Sequence, residues 1–183
     1  MRIIAGSLKG RRLDSGAWPG LRPTSDKLRE TLFNILTPRI AGARVLDGFA
    51  GTGAVGLEAL SRGAAHVTFV ERDRRASALI EGNLRRCGVE SACAIIRAGF
   101  DDATRGALRD AVFDLILLDP PYDEDLGPIV GAAAPLVGGD GLLVLEHARR
   151  QAAPEVSGEL MRVREVRSGD SALAIYQRRD SRA

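Results

Sequence analysis

Asp119-Pro120-Pro121-Tyr122 is the stretch whose residue types most narrowly limit the chemistry. Two prolines fix φ and remove two N–H donors, so the segment presents acceptors only. A carboxylate, a row of carbonyls and an aromatic face suit a planar base that carries an exocyclic amine. The amine donates to the Asp119 carboxylate and the Pro120 carbonyl, and the Tyr122 ring stacks on the base. Holding both N–H groups on acceptors aims the nitrogen lone pair at an electrophile, and alignment of this kind supplies roughly 7–11 kcal/mol at best. Pro121 keeps the turn stiff. Such a reaction needs neither a protein nucleophile nor a metal.

A second set lies upstream. Asp47 is followed by Gly48, Gly51, Gly53 and Gly56, and Gly51, Gly53 and Gly56 fit G-x-G-x-x-G. That pattern alone fits any dinucleotide. A carboxylate four residues before Gly51 repels a pyrophosphate but welcomes a cationic amino-acid group. S-adenosylmethionine (SAM) carries both an ammonium and a sulfonium. Glu71 lies 18 residues after Gly53, near the offset expected of an acid that accepts ribose hydroxyls.

These residues need a scaffold that brings strand ends together. Val45-Leu46 leads into the glycine turn, and Val55, Leu57 and Leu60 have helical spacing. From there strands are expected at 43–47, 66–71, 92–96, 113–119 and 141–147. Helices are expected at 53–62, 74–87, 101–109 and 125–136. Alternation of this kind predicts an α/β fold with a parallel sheet between helices. Residues 161–167 and 171–177 read as a closing antiparallel hairpin around Ser168-Gly169-Asp170. Asp47, Glu71 and Asp119 all fall at strand carboxyl ends, where open α/β sheets bind ligands.

Ahead of this body, residues 2–13 read as a β-hairpin and Ser15 to Pro23 as a loop that holds Trp18. A helix is expected from Thr24 or Ser25 to Pro38. Residues 1–39 carry eight Lys/Arg against three acids, a net charge of +5, while the remainder carries −3. A basic arm on a nearly neutral body suggests a polyanionic partner. Arg2, Lys9, Arg11 and Arg12 lie on the hairpin, and Arg22, Lys27 and Arg29 cluster at the helix start, where a bound phosphate would relieve their conflict with the helix dipole. The division expected is a hairpin-and-helix extension over 1–39 and a catalytic domain over 40–183.

Composition narrows the rest. The chain has 183 residues, 45% of them apolar, enough for one well-filled core. No apolar run reaches membrane-spanning length, and the N-terminus has no signal-peptide core. Cys87 and Cys93 fit neither a zinc site nor a redox motif, so both are expected to be reduced packing residues. His66 is expected at the surface and His147 in a structural role. A cytoplasmic, metal-free monomer is the expectation.

Val45-Leu46-Asp47-Gly48-Phe49-Ala50-Gly51-Thr52-Gly53 with Asp119-Pro120-Pro121-Tyr122 resembles the class I SAM-dependent methyltransferases that act on base amines. Arg22-Pro23-Thr24, Arg29-Glu30-Thr31-Leu32-Phe33-Asn34 and the run Gly56 to Ala64 resemble one branch closely, the RsmD family. The likeness covers nearly the whole chain. It implies a Rossmann-like, mostly parallel seven-stranded sheet. It also implies methylation of the guanine 2-amino group in 16S ribosomal RNA, with the small subunit or an assembly intermediate as partner. By resemblance, Asp47, Phe49, Gly51, Gly53, Glu71 and Arg72 hold SAM, and Asp119 to Tyr122 hold the base. The sequence departs from the family in two places. Gly48 stands where Leu is common, and Arg97 to Asp102 lacks the usual acidic contact to adenine, leaving Asp101 or a backbone amide for that role.

Three other readings compete. A DNA adenine or cytosine amino methyltransferase shares the Asp-Pro-Pro-Tyr motif, but 183 residues leave little room for a target-recognition domain. An NAD oxidoreductase would not place Asp47 against a pyrophosphate. A non-catalytic RNA-binding protein on this fold would not need Asp47, Glu71 and Asp119 together.

Overall fold

The computed structural model describes residues 1–16 and 26–179. The expected cap at Thr24 or Ser25, the loop with Trp18, and Arg22 lie outside the described residues.

Five parallel strands form the body: β1 (Arg44–Asp47), β2 (His66–Val70), β3 (Cys93–Ile96), β4 (Phe113–Leu118) and β5 (Val137–Ala148). Helices α1 (Asp26–Ile40), α2 (Ala54–Ser61), α3 (Arg74–Cys87), α4 (Phe100–Arg105) and α5 (Leu126–Ala133) precede or connect them. Strands β6 (Val156–Ser157), β7 (Leu160–Ser168) and β8 (Ser171–Arg178) close the sheet. Its order is β3-β2-β1-β4-β5-β8-β7-β6, with β8 antiparallel to β5. Eight strands stand where seven were expected, the addition being the two-residue β6 at the edge.

Two apolar layers flank the sheet because its strands are buried on both sides. Val45, Leu117 and Val144 face α1, α2 and α3. Leu46, Leu118 and Leu145 face α4 and α5. Ile3, Leu13, Leu28, Phe33 and Leu36 belong to the first of these layers, so the N-terminal segment and the body share one core.

The N-terminal hairpin forms around the antiparallel bridge of Arg2 and Arg12, with the Ile3 N–H donating to the Arg11 carbonyl (3.0 Å), the Leu13 N–H to Met1 (3.0 Å) and the Gly10 N–H to Ile3 (2.9 Å). Its outer edge bonds to α2. The Ile4 and Ala5 N–H groups donate to the Glu58 carboxylate (2.7 and 3.0 Å), and the Leu8 N–H donates to Ser61 Oγ (3.0 Å). Glu58 is fully buried and also takes the Arg62 Nε–H at 2.8 Å. Pro38 does not end α1, which runs on to Ile40. Ile40 is buried in the core, and burying it outweighs a proline in the last turn. Strand β5 begins early, at Val137, because residues 138–141 are absorbed in a register shift against β4.

Candidate active site

The strand ends named by the sequence converge. A cleft of about 550 Å³, counted to its open mouth, is lined by Asp47, Phe49, Gly51 and Thr52 after β1, by Asp119 after β4, and by Glu146 on β5. Leu32 of α1 and Leu173 of β8 close its far side. Asp47, Asp119 and Glu146 share one sheet face because each lies two residues beyond an inward-facing apolar residue of its own strand, Val45, Leu117 and Val144.

The glycine turn is pinned from several sides. Gly48 N–H donates to the Leu117 carbonyl (2.9 Å), Ala50 N–H to Val70 (3.0 Å), and Gly53 N–H to Ala50 (2.7 Å). Gly53 stands at φ 75° where α2 begins, a conformation side chains resist. Gly51 N–H donates to Glu71 Oε2 at 2.8 Å, and Asp73 N–H to Glu71 Oε1 at 2.7 Å. Each Glu71 oxygen keeps a second lone pair, which matches two neighbouring ribose hydroxyls. Asn83, buried on α3, takes the Asp14 N–H on Oδ1 (2.8 Å) and donates to the Asp14 carbonyl (2.9 Å) and to the Thr52 carbonyl (3.3 Å). It ties the N-terminal segment to the turn.

Asp47 is 4% exposed and accepts the Gly56 N–H at 3.0 Å. Burial pushes its carboxyl up to about 7, the Gly56 bond opposes that, and the charges of Asp119 and Glu71 add to it. No Lys or Arg side chain pairs with Asp47 among the described residues. A buried carboxyl without a counter-ion, at the mouth of a glycine turn, fits an incoming ammonium.

At the other end, Pro120 is buried and Pro121 exposed. Tyr122 is half-buried, with its hydroxyl 3.2 Å from Ser171 Oγ, so the closing hairpin holds the aromatic residue of the Asp119 to Tyr122 turn. Ser171 in turn donates to Glu146 Oε1 at 3.3 Å. Glu146 is the cleft residue whose role the sequence did not reveal. It sits beside a histidine in a long apolar strand, and only the register that places it next to Asp119 gives it meaning.

The remaining residues sort by exposure. Phe49 packs on Phe100, ring centroids 5.1 Å apart, and reaches the cleft. A Cβ on Gly48 would lie 2.5 Å from Leu118 and 2.8 Å from Phe100, so Phe100 and Leu118 occupy the room a larger residue would need. Arg72 and Asp101 are exposed. His147 lies on the opposite face of β5, buried, with Nδ1 3.0 Å from the Ala148 carbonyl. Cys87 is buried and Cys93 half-buried, both free thiols.

Arg2, Lys9, Arg11, Arg12 and Lys27 are exposed. Arg2, Lys9 and Lys27 line a second concavity with Glu30. Arg29 corrects an expectation. It is fully buried and donates from Nη2 to the Arg2 carbonyl at 2.7 Å, so it braces the segment from inside and cannot reach an external phosphate.

Sheet order, glycine turn and acid-lined cleft together define a class I SAM-dependent methyltransferase. Residues 1–177 match the family described as Conserved hypothetical protein 95. The chain is 39% identical over 184 residues to YlbH of Bacillus subtilis (strain 168), covering 98% of this chain and 100% of that one. It is 37% identical over 190 residues to ribosomal RNA small subunit methyltransferase D of Escherichia coli (strain K12), covering 97% and 90%. A solved structure of a hypothetical protein from Thermus thermophilus superposes with a TM-score of 0.83 at 32% identity, covering 97% and 99%. The chain belongs to the Conserved hypothetical protein 95 family, the RsmD family of the sequence resemblance.

Proposed function

We propose that this protein transfers a methyl group from SAM to the exocyclic 2-amino group of a guanine in small-subunit ribosomal RNA. The observation that carries the reading is a cleft lined both by Asp47, an acceptor suited to an ammonium, and by Asp119, the first residue of the Asp119 to Tyr122 turn, with Tyr122 held beside it by Ser171. The name of the Escherichia coli relative supports the RNA class.

Asp47 and Glu71 would hold the amino-acid and ribose parts of SAM, which supplies an electrophilic methyl group. Phe49 and Phe100 form the apolar wall beside them. The Asp119 carboxylate and the Pro120 carbonyl accept the two N–H bonds of the base amine and aim its lone pair. As the N–C bond forms and the S–C bond breaks, the amine carries a surplus proton, which Asp119 accepts and releases to water. Tyr122, held by Ser171, stacks on the base.

Residues 1–39 serve as the RNA-facing extension in this reading. Arg2, Lys9, Arg11, Arg12 and Lys27 contact phosphates, and Arg22 belongs with them by sequence. Contacts of this kind position the substrate. Tritiated SAM incubated with protein and either unmodified small subunits, naked 16S rRNA or duplex DNA tests the reading. Label in guanine N2 of rRNA is expected, and label confined to DNA would refute it.

A further inference from the structure

Glu146 is 8% exposed, lines the cleft, and has one hydroxyl partner, Ser171 Oγ at 3.3 Å. No cation pairs with it among the described residues. Packing alone would be served by Leu or Met, and a buried carboxyl with so little compensation marks a functional position. Its place says which substrate it meets. Register pairs Leu117 with Val144 and Leu118 with Leu145, so Glu146 stands beside Asp119, and β4 separates it from Asp47. It is on the base side of the cleft, and Ser171 joins it to Tyr122.

Burial, reinforced by the charge of Asp119, pushes the Glu146 carboxyl up to about 8, against the Ser171 bond. Among the described residues, Asp119, Asp47 and Tyr122 are the other titratable groups around the cleft, and Ser171 is neutral. At neutral pH the group is therefore an acid, with one acceptor oxygen and one O–H donor.

Bases differ in the edge groups that adjoin the amine. Next to the guanine amine come N1–H, a donor, and O6, an acceptor. Next to the adenine amine come N1, an acceptor, and C2–H. Next to the cytosine amine come two acceptors, N3 and O2. A carboxyl's acceptor–donor pair matches both positions only in guanine.

We propose that Glu146 is a specificity-determining residue that reads the guanine N1–H and O6 while Asp119 and Pro120 hold the neighbouring amine. The inference rests on the reading of a guanine amine as methyl acceptor. A polar pair left unmatched costs roughly 10- to 100-fold in discrimination.

The experiment uses 2-aminopurine, which keeps the reacting amine but has a bare N1 acceptor and no O6. After the methylated position has been mapped on unmodified subunits, RNA is prepared with guanine or 2-aminopurine there. Wild-type kcat/KM is expected to fall roughly 10- to 100-fold on 2-aminopurine. Glu146→Leu is expected to lose activity on guanine by a similar factor, to treat both bases alike, and to bind SAM normally by calorimetry. Glu146→Met replaces it if the branched side chain does not fold. Glu146→Gln, which keeps an acceptor and a donor, is expected to keep the preference. Equal wild-type rates on the two bases, an undiminished preference in the Leu or Met variant, or a Gln variant that behaves like Leu would each overturn the assignment while leaving methyl transfer to the guanine amine intact. Absence of wild-type label in any guanine amine would instead remove the functional reading, and this inference with it.

Discussion

Asp47 titrates where its ligand can command it. Its carboxyl sits near 7 when the cleft holds no cation. Only the ionised form attracts an ammonium, so SAM affinity should fall as pH drops below about 7, approaching tenfold per unit, and level off above it. Calorimetry from pH 5.5 to 8.5 checks this, and binding near neutrality should release protons. The same shift has the opposite sign for the protein without SAM. A carboxyl raised from 3.8 to about 7 contributes stability that is full below the lower value and lost as pH rises through the upper one. Melting temperature without SAM should therefore fall between those pH values, and Asp47→Asn should flatten the fall. Asp47→Ala should weaken SAM by roughly 1.5–3 kcal/mol, as for a lost charge-assisted bond. Asp119→Ala should abolish turnover and leave SAM calorimetry nearly unchanged, since the partner proposed for Asp119 is the base amine and not the cofactor. A variant with wild-type turnover would contradict its role. At this scale Asp47, Glu71 and Asp119 were legible because each ends a strand that its own apolar run announces. Glu146 was not, because the neighbour that matters to it comes from another strand.

Elements built from local signals came out as read. Helix α3 spans Arg74–Cys87 with Asp73 as its cap, accepting from the Arg75 and Ala76 N–H groups, and the closing hairpin turns at Gly169. Elements that also lean on distant partners were legible only in part. The N-terminal hairpin has alternating residues and a glycine turn, yet its outer edge is satisfied by Glu58 and Ser61, more than fifty positions away. The sequence offers no sign that a buried glutamate on α2 holds that outer edge. Glu58→Ala should strand two half-buried N–H groups and the Arg62 guanidinium, costing roughly 2–3 kcal/mol. Urea denaturation measures that loss, and limited proteolysis should then cut within residues 1–16 first.

For the molecule as a whole, charge and core give different boundaries. Charge separates a basic extension from a near-neutral body, but Ile3 and Leu13 sit in the body's core, and Asn83 bonds both Asp14 and the cofactor turn. Removing residues 1–14 would therefore uncover apolar surface, take the Ile4 and Ala5 N–H donors from buried Glu58 and disturb Thr52, so it is a poor test of RNA contact. Changing exposed Lys9, Arg11 and Arg12 together to Ala touches none of these bonds except the one from Arg11 Nη1 to the Arg86 carbonyl. SAM affinity should hold, RNA affinity should drop, and the slope of log affinity against log salt should shrink by roughly two for three lost contacts on single-stranded RNA. Filter binding at several salt concentrations reads it. An unchanged slope with normal methylation would assign RNA selection to the loops after β4 and β5.

Gly48 and Phe100 divide one small volume beside the cofactor turn, with Leu118 as the third party. The glycine leaves the room after β1 that Phe100, at the start of α4, fills. Neither residue changes alone without cost. Gly48→Leu in this chain overfills the space and should cost roughly 1–3 kcal/mol, and Phe100→Ala empties it. Together they should recover part of both losses, a coupling that thermal melts of the four proteins would measure. In inheritance the two sites form one character: a descendant that changes either must pass through a less stable ancestor or change both.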